Sequence, residues 1–287
     1  MQVLTRLAPA KLNLTLRVAG RRADGFHELE SLVTRLAFGD ELAVARHEDG
    51  CYALTCDDPT LPADGSNLVL RAARALARAA GVNHGAAFTL RKRIPAGAGL
   101  GGGSSDAATA LMALNELWDL GLSCVRLAEL AALLGSDVPL FLHAPLCVLR
   151  GRGERIEDRP ERCRAWAVLL LPPVHCSTPA VYAAWDRRPP LPERPPLESI
   201  LAVLHDPAVL MERLFNDLEP AAFDIAPELA RLAGRATALA GGPVRMTGSG
   251  AALFRLFADP AEAEAFAAQA RAELGVRAEV ARTATAE

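Results

Sequence analysis

The stretch Ile94-Pro-Ala-Gly-Ala-Gly-Leu-Gly-Gly-Gly-Ser-Ser-Asp-Ala-Ala108 decides how the rest of the chain is interpreted. Five of the seven residues from 97 to 103 are glycine, which lets the backbone reach positive φ and approach a ligand closely. Two serines and an aspartate follow, and residues of these types begin helices. A helix that starts here directs free N–H groups and the positive end of its dipole toward the glycines. The sequence therefore predicts a loop that binds an anion such as a phosphate.

Walker loops, dinucleotide-binding turns and protein-kinase loops are also rich in glycine, but each fits this segment less well. A Walker loop requires a lysine after its last glycine, and none follows here. Gly97, Gly99 and Gly102 satisfy G-x-G-x-x-G, but that dinucleotide fingerprint belongs to the first turn of a βαβ unit, and this loop comes much later in the chain. The protein-kinase tripeptides H-R-D and D-F-G do not occur. A flexible linker is rarely framed by an apolar strand and a helical pattern, so a phosphate loop is the favoured interpretation.

The composition indicates a globular protein of ordinary polarity. The chain has 287 residues, 51% hydrophobic and 23% charged, which is enough for two modest domains. A net charge of −3 argues against a nucleic-acid partner, and no apolar run is long enough to predict a membrane span. No signal peptide is predicted at the start. The six cysteines lack a C-x-x-C spacing, which predicts neither a metal site nor disulfides and favours a reducing, cytoplasmic location.

Lysine is rare in this chain, and its two positions are informative. Of the 31 basic residues only Lys11 and Lys92 are lysine, so both are candidates for sites that need a compact ammonium group. Lys11 lies in a strand-like stretch, residues 3–18, in which apolar and polar residues alternate loosely. That alternation puts Lys11 and Asn13 together on the polar face.

The remaining pattern predicts an α+β protein. A turn around Asp24-Gly25 presents Phe26 and His27, and a second strand follows from residue 29. Helices are predicted at 67–80, from the glycine loop to about 121, and at 123–134, 198–205, 207–215, 227–239 and 260–274. Strands are predicted at 29–37, 41–44, 52–55, 88–94, 144–149, 166–171, 253–257 and 277–282, with a linker over 151–160.

Asp137 has two possible roles on the sequence alone. It precedes Val138-Pro139, a helical start with proline in its first turn, and an aspartate there can serve as an N-cap. The alternative is a functional carboxylate, and the sequence pattern by itself does not decide between them.

Three separated blocks match one superfamily in the right order. They are Ala8-Pro-Ala-Lys-Leu-Asn-Leu14, the loop from Pro95 to Ser105, and Thr247-Gly-Ser-Gly-Ala251. Together they resemble the GHMP kinases (galactokinase, homoserine kinase, mevalonate kinase and relatives) over the whole chain. The blocks Arg22–Glu28 and Leu134–Phe141 are similar to the branch that phosphorylates the 2-hydroxyl of a cytidine-diphosphate sugar alcohol on the non-mevalonate route to isoprenoid precursors.

The resemblance implies a two-domain fold. An N-terminal ATP-binding domain, residues 1–156, would contain a left-handed βαβ crossover, which departs from the usual handedness. A C-terminal domain, residues 157–287, would be a ferredoxin-like α/β sandwich, with the active site in the cleft between the domains.

The resemblance also implies a set of site residues. Lys11 and Asp137 match the catalytic pair, with Lys11 expected against Asp137 and the γ-phosphate. The expected substrate contacts are Asn13, Phe26, His27, Thr178 and Tyr182, where Phe26 replaces the tyrosine common in the family and so lacks its hydroxyl. The expected ATP contacts are Asn67, Pro95, Ala96, Gly97, Ala98, Gly99, Leu100, Gly101, Gly102, Gly103, Ser104 and Ser105. The family shows asparagine as well as aspartate at Asp106, so a charge there is not required. Mg²⁺ is expected with ATP, but the sequence does not indicate its ligands.

Three alternatives stay open. The chain resembles homoserine and mevalonate-pathway kinases through the same loop, so another small-molecule acceptor is possible. The second alternative is a catalytically inactive relative that binds nucleotide or sugar as a regulator, against which the intact Lys11, Asp137 and loop argue. The third is an RNA-binding protein on a similar domain fold, against which the net charge of −3 and the intact phosphate loop argue. We expect small-molecule substrates, no nucleic-acid or membrane partner, and a monomer or weak homodimer.

Overall fold

The computed structural model describes residues 3–47 and 50–284, which form both strands and helices. The strands are β1 (Val3–Asn13), β2 (Thr15–Arg21), β3 (His27–His47), β4 (Tyr52–Cys56), β5 (Gly85–Arg91), β6 (Leu146–Gly151), β7 (Arg155–Asp158), β8 (Trp166–Leu171), β9 (Phe215–Asn216), β10 (Arg245–Met246), β11 (Leu253–Phe257) and β12 (Arg277–Arg282). The helices are α1 (Leu68–Ala80), α2 (Gly102–Leu117), α3 (Cys124–Ala132), α4 (Thr178–Trp185), α5 (Leu197–Leu201), α6 (Pro207–Arg213), α7 (Glu219–Ile225), α8 (Pro227–Ala240) and α9 (Pro260–Gln269). In the described ranges no helix combines the length and the apolar character that a membrane span requires.

The first of two compact units comprises the chain up to Ala10, Phe38–Ala96 and Gly101–His143. Here the second half of β3 pairs antiparallel with β5, and β5 pairs in parallel with β4. Because α1 connects these two parallel strands, the three elements form a βαβ unit, as the family resemblance implies.

Helix α1 follows directly from its sequence. The Asn67 side chain accepts a hydrogen bond from the Val69 N–H at 2.9 Å and so caps the first turn. The helix ends at Gly81, whose φ of 66° is a common conformation after the last helical turn. The buried residues, which include Leu70, Ala73 and Leu76, recur at helical spacing, and α1 packs against α2.

The second unit comprises Lys11–Ala37, Gly97–Leu100 and the chain from Ala144 onward. In this unit the first half of β3 pairs antiparallel with β2 and with β6, and β9 pairs in parallel with β2. A separate four-stranded sheet has the order β10-β11-β8-β12 with every pairing antiparallel. Its core contains Val168 and Leu170 of β8, Leu253 of β11 and Phe266 of α9, all buried. The antiparallel sheet with its helices agrees with the predicted α/β sandwich.

Some sequence predictions of local structure were wrong. Residues 151–160 were expected to be a linker, but β6 and β7 form an antiparallel hairpin there, from Arg150 opposite Arg155 to Cys147 opposite Asp158. The predicted strand over 3–18 is two strands that separate at Leu14. Helices α4 and α7 were not predicted, because each has no more than eight residues and contains a proline in its first turn. The predicted division into residues 1–156 and 157–287 stays a prediction.

The close approach of β1 to β3 makes Gly39 a point where the first unit tolerates no side chain. A Cβ at position 39 would lie 2.0 Å from the Ala8 carbonyl oxygen. Because that atom belongs to a paired backbone, the strands would have to move apart. We expect Gly39→Ala to lower the free energy of unfolding by about 1–3 kcal/mol in a urea titration. The matched control, Gly234→Ala inside α8, meets no atom within 4 Å and should raise it by about 0.5–1 kcal/mol. Equal midpoints for the two variants would contradict the steric role of Gly39.

Candidate active site

Three sequence blocks that lie far apart in the chain meet within the second unit. The Lys11 N–H donates to the Leu100 carbonyl at 3.0 Å, and the Ala252 N–H donates to the Ala98 carbonyl at 3.1 Å. A Cβ on Gly99, whose φ is 78°, would lie 2.4 Å from the Thr247 carbonyl oxygen. Glycine is therefore required at position 99 both by its backbone conformation and by the neighbouring chain.

The Lys11 ammonium is held by a buried polar network. Lys11 is 5% exposed, and its Nζ donates to Asn13 Oδ1. Two further hydrogen bonds fix the position of Asn13. Its backbone N–H donates to Thr247 Oγ1 at 2.9 Å, and its side-chain Nδ2 donates to Ser31 Oγ at 2.7 Å. Because each of these groups has a partner, the position of the charge is fixed before any ligand binds.

The glycine loop has the backbone of an anion-binding segment. Gly97, Gly99 and Gly101 have φ values of 70°, 78° and 74°, and α2 begins at the next residue, Gly102. No side chain caps the first turn of α2, so its N–H groups are available to a ligand. The Ser105 Oγ is buried and has no hydrogen-bond partner among the described residues. The other predicted ATP contacts in this stretch form the loop backbone and the first turn of α2: Pro95, Ala96, Ala98, Leu100, Gly103 and Ser104.

Asn67 and Asp137 both lie in the first unit. Asn67 uses its oxygen to cap α1 and donates from Nδ2 to the Pro62 carbonyl at 2.8 Å, so its predicted ATP contact stays a prediction. Asp137 is half-buried in the turn before a 3₁₀ helix, Pro139–Leu142. The N-cap of that helix is Val138, and no side chain caps it. The interpretation of Asp137 as a helix cap is therefore wrong.

Lys92 forms a buried charge cluster that fixes the segments on either side of the glycine loop. Its Nζ donates to Asp40 Oδ2 and, at 2.8 Å, to Asp106 Oδ2 in the first turns of α2. Asp40 Oδ1 also accepts the backbone N–H groups of Arg93, at 2.6 Å, and Ile94, at 2.8 Å. The sequence analysis identified Lys92 as a candidate site for a compact ammonium group because lysine is rare in this chain. It did not identify its partner Asp40, since no sequence pattern distinguishes that aspartate.

One positive charge faces two carboxylates in this cluster, and the imbalance appears in the pKa of Asp106. Burial raises the pKa of the Asp106 carboxyl from 3.8 to about 7; Lys92 opposes this effect and Asp40 adds to it. For Lys92, burial alone would lower the pKa, but the carboxylates of Asp106 and Asp40 outweigh it and the pKa is raised. Asp106 Oδ1 is buried without a hydrogen-bond partner in the described part of the chain. Asparagine, the other residue that the family shows here, would remove the excess charge.

A charged turn presents Phe26 to solvent. Arg22 Nη1 donates to Glu28 Oε2 at 2.8 Å and its Nε contacts Asp24 at 3.2 Å, while the Arg22 N–H donates to the Phe26 carbonyl at 2.7 Å. The Phe26 ring is 51% exposed, and the Arg152 guanidinium lies over it at 5.0 Å from the centroid. The predicted stacking face is therefore accessible on a fixed turn.

Helix α4 carries two predicted substrate residues. Thr178 Oγ1 forms a 2.7 Å hydrogen bond with Ser249 Oγ, and the Tyr182 ring stacks on His27 with centroids 4.7 Å apart. His27 is also contacted by Trp185 and Asp186, which the sequence analysis did not identify. Both lie three or four residues after Tyr182, which places them on the same face of a helix. That spacing identifies them only once α4 is known to be a helix.

Asn216 is a further residue that the sequence did not reveal. Its Nδ2 donates to the carbonyls of Met246, at 2.9 Å, and Gly248, at 2.8 Å, and so it supports the loop that contacts Gly99 and Asn13. A single buried asparagine at the end of a two-residue strand has no pattern that would distinguish it.

Comparisons with known proteins define the class. A family model of the GHMP kinases N terminal domain matches residues 67–144, and a model of the GHMP kinases C terminal domain matches residues 197–276. The crystal structure of a homoserine kinase from Cytophaga hutchinsonii superposes with a TM-score of 0.74 over 99% of this chain and 95% of that one, and at 18% identity it shows a shared fold. The fold and the glycine loop are those of the GHMP kinases.

Relatives of higher identity narrow the class. A 4-diphosphocytidyl-2-C-methyl-D-erythritol kinase of Pelotomaculum thermopropionicum is 41% identical over 272 residues, 94% of each chain. One from Paramagnetospirillum magneticum is 43% identical over 91% of this chain and 92% of its own. A crystal structure of 4-(cytidine 5'-diphospho)-2C-methyl-D-erythritol kinase has a TM-score of 0.84 and 39% identity over 99% of this chain and 100% of that one. The chain belongs to the 4-diphosphocytidyl-2-C-methyl-D-erythritol kinase family.

The resemblance, the fold class and the prediction of an ATP-dependent phosphotransferase are thereby confirmed. These matches do not test individual site residues, whose roles stay predictions.

The raised pKa of the Asp106 carboxyl predicts how the free energy of unfolding depends on pH. Its pKa is about 7 in the folded chain and near 4 when unfolded, so between these values the folded state holds a proton that the unfolded state has lost. The free energy of unfolding should therefore fall as pH rises from about 5 to 7, by up to about 1.4 kcal/mol per pH unit from this group. Asp106→Asn should remove that contribution in urea titrations across the range.

The control is Asp58→Asn, because a hydrogen bond from Thr60 lowers the pKa of the Asp58 carboxyl and moves its titration below this range. Its slope should equal that of the unmodified chain. If Asp106→Asn keeps the same slope too, the burial of an excess charge is not what this cluster does.

Proposed function

We propose that the chain transfers the γ-phosphoryl group of ATP to the 2-hydroxyl of 4-diphosphocytidyl-2-C-methyl-D-erythritol, on the non-mevalonate route to isoprenoid precursors. The observation that carries the proposal is the network in the second unit in which Lys11, Asn13 and Thr247 are fixed against the glycine segment 97–100. Phosphoryl transfer depends mainly on positioning and on stabilisation of charge, and this network supplies a fixed cation beside backbone amides.

The glycine loop would hold the phosphates of ATP. The N–H groups of residues 97–104, which include the uncapped start of α2, have no competing side-chain cap, whereas the Ser105 N–H already donates to the Gly101 carbonyl at 2.9 Å. Amides in this arrangement bind phosphate oxygens and carry the partial positive charge of the helix N-terminus.

Lys11 would stabilise the negative charge on the transferred phosphoryl group. Two unit charges about 4 Å apart attract by about 4 kcal/mol at an effective dielectric constant of about 20. Since Lys11 is held by Asn13 before ATP binds, little of that attraction is lost to ordering the side chain.

Asp137 would orient the 2-hydroxyl of the substrate and accept its proton. An ionised aspartate is a weak base, but in a loose transition state the proton of the nucleophile can leave late, so orientation matters more than basicity. Its half-buried position in a turn, without a capping role, supports this assignment.

The cytidine end of the substrate would contact the residues around α4 and the 22–28 turn. Phe26 offers an exposed ring face for stacking on the base, and Tyr182 offers a second. His27 provides a polar ring nitrogen, while Thr178 and Asn13 supply groups that hydrogen-bond to the diphosphate and the sugar alcohol.

Mg²⁺ would accompany ATP and neutralise its phosphate oxygens. The described residues contain no group of three or more His, Cys, Asp or Glu side chains arranged to hold a metal ion. Mg²⁺ at kinase sites is usually held by one or two protein groups together with phosphates, so the absence of a dedicated cage in this part of the chain is compatible with that form of binding.

We propose a cytoplasmic location and a monomer or weak homodimer for this enzyme. The first is in keeping with the small, charged substrates, and sedimentation of the purified chain would measure the second.

The substrate is tested by ATP consumption with 4-diphosphocytidyl-2-C-methyl-D-erythritol, homoserine and mevalonate offered separately. We expect turnover with the cytidylated substrate alone. Turnover with another acceptor would support the kinase activity but contradict the proposed cytidine contacts. ATP binding without any turnover would favour a nucleotide-binding regulator.

The role of Asp137 is tested by Asp137→Asn. We expect kcat to fall by at least about 100-fold, because an amide cannot accept the proton, while the unfolding midpoint stays close to that of the unmodified chain. The control is Asp206→Asn at the N-cap of α6, where the side chain accepts hydrogen bonds from Ala208 and Val209; it should change kcat little. An active Asp137→Asn variant would remove Asp137 from the mechanism.

A further inference from the structure

His175 packs on the glycine loop from the segment that joins β8 to α4. A Cβ built on Gly97 would lie 2.9 Å from His175 Nδ1 and 3.0 Å from its Cε1, so the edge of the imidazole ring is in contact with this glycine. Both residues belong to the second unit. The neighbour beside Gly97 is therefore a polar ring, whereas the neighbours beside Gly99 are backbone atoms.

Two anchors fix the segment that contains His175. The next residue, Cys176, is 2% exposed and belongs to the hydrophobic core of this unit. Two residues further on, Thr178 Oγ1 forms its 2.7 Å hydrogen bond with Ser249 Oγ. The side chain of His175 is exposed although that of Cys176 is buried. The buried and hydrogen-bonded neighbours thus hold His175 beside the loop, and its own nitrogens are not needed for that purpose.

The imidazole nitrogens of His175 have no partner in the protein. Within residues 3–47 and 50–284, His175 forms no hydrogen bond and no ion pair. An imidazole carries at least one N–H donor in every protonation state that proteins show, and its tautomer adapts to the acceptor that it meets. A phenyl ring would fill the space beside Gly97 equally well. The nitrogens are therefore what histidine adds at this position, and they are available to a ligand on the loop.

The Lys11 ammonium approaches the same stretch of the loop. A Cβ on Gly248 would lie 3.3 Å from Lys11 Nζ and 3.1 Å from Gly99 Cα, so the ammonium and Gly99 adjoin the same point. The His175 ring contacts Gly97, which is two residues earlier and therefore at most about 7 Å from Gly99 along the chain. This stretch is short enough for one phosphate-bearing ligand to contact both nitrogen groups.

We propose that His175 is a phosphate-contacting residue, whose ring N–H donates a hydrogen bond to a phosphate oxygen of a ligand bound on Gly97–Gly99. The loop amides are uncharged donors, and the imidazole adds a side-chain donor that becomes stronger when it is protonated. This inference rests on the proposed function in that it takes the glycine loop to hold phosphate. The phosphate belongs either to ATP or to the diphosphate of the acceptor, and separate ligands distinguish the two.

Three substitutions separate hydrogen bonding from packing. His175→Phe keeps a ring beside Gly97 but removes both nitrogens. His175→Ala removes the ring as well. His175→Arg supplies N–H donors on a longer side chain. Because the side chain at position 175 is exposed, we expect all three variants to keep the urea unfolding midpoint of the unmodified chain.

The measurement is the calorimetric binding of ADP and of cytidine 5'-diphosphate to the full chain, with Mg²⁺ present. Loss of a hydrogen bond to a charged phosphate should weaken the binding of one of the two ligands by about tenfold in both His175→Phe and His175→Ala. His175→Arg should restore most of that affinity. Weaker binding of ADP would assign the contact to ATP, and weaker binding of cytidine 5'-diphosphate would assign it to the acceptor.

Two results would overturn the proposal. If His175→Phe binds both ligands as tightly as the unmodified chain, the ring only fills space beside Gly97. If His175→Arg binds as weakly as His175→Phe, the shape of the side chain matters and its N–H donors do not.

The matched control is His205→Ala. His205 is an exposed histidine of the same unit, between α5 and α6, and it too forms no hydrogen bond or ion pair with the described residues. Its replacement should leave both affinities unchanged.

Failure of this inference and failure of the proposed function have different signatures. If the cytidylated substrate is turned over and His175→Phe binds both diphosphates normally, the function stands and the role of His175 falls. If no acceptor is phosphorylated, weaker binding of a diphosphate by His175→Phe, restored in His175→Arg, still supports the phosphate contact. If the unmodified chain binds neither diphosphate, the phosphate loop itself is contradicted, and the inference fails with it.

Discussion

The buried contact of Lys92 with Asp40 and Asp106 is the constraint on which the phosphate loop depends. It joins three segments of the first unit: the strand that contains Asp40, the residues that enter the loop, and the helix that leaves it. A lone ammonium taken out of water is costly, and two carboxylates in direct contact offset that cost only when all three groups keep their places. The loop consists mostly of glycine, which leaves its backbone flexible. The ion pairs of Lys92 with Asp40 and Asp106 fix the residues at its two ends.

The middle of the loop is held by a different means in the second unit. There the constraint is close backbone packing of Gly99 against Thr247, reinforced by the hydrogen bonds of Asn13 and Asn216. No ion pair is needed to fix this part of the loop, because the two backbones lie so close that residue 99 has room for a hydrogen atom but not for a side chain. The same network fixes the Lys11 ammonium, so the position of the cation and the conformation of the loop are set by one group of side chains.

The sequence predicted most of the regular structure and the residues of the loop, because helical spacing, caps and glycine runs are local signals. Helix α1, with Asn67 before it and Gly81 after it, is an example. It did not predict α4. Because that helix was missed, Trp185 and Asp186, which contact His27 from it, were not identified either. Asn216 and Asp40 were missed for another reason: their roles come from partners distant in the chain, and a single polar residue carries no pattern. Asp137 shows the opposite case, in which the sequence left two roles and the backbone around Val138 removed one.

The scarcity of lysine has a chemical consequence. The whole sequence contains two lysines, and both side chains are inside the protein, Lys11 at 5% and Lys92 at 7% exposure. The other cationic side chains are arginines, whose guanidinium groups do not react with acylating reagents under mild conditions. Acetylation, ubiquitin attachment and amine-directed cross-linking therefore have no lysine at the surface to modify. A lysine that does become acylated would report that one of these two buried clusters had opened.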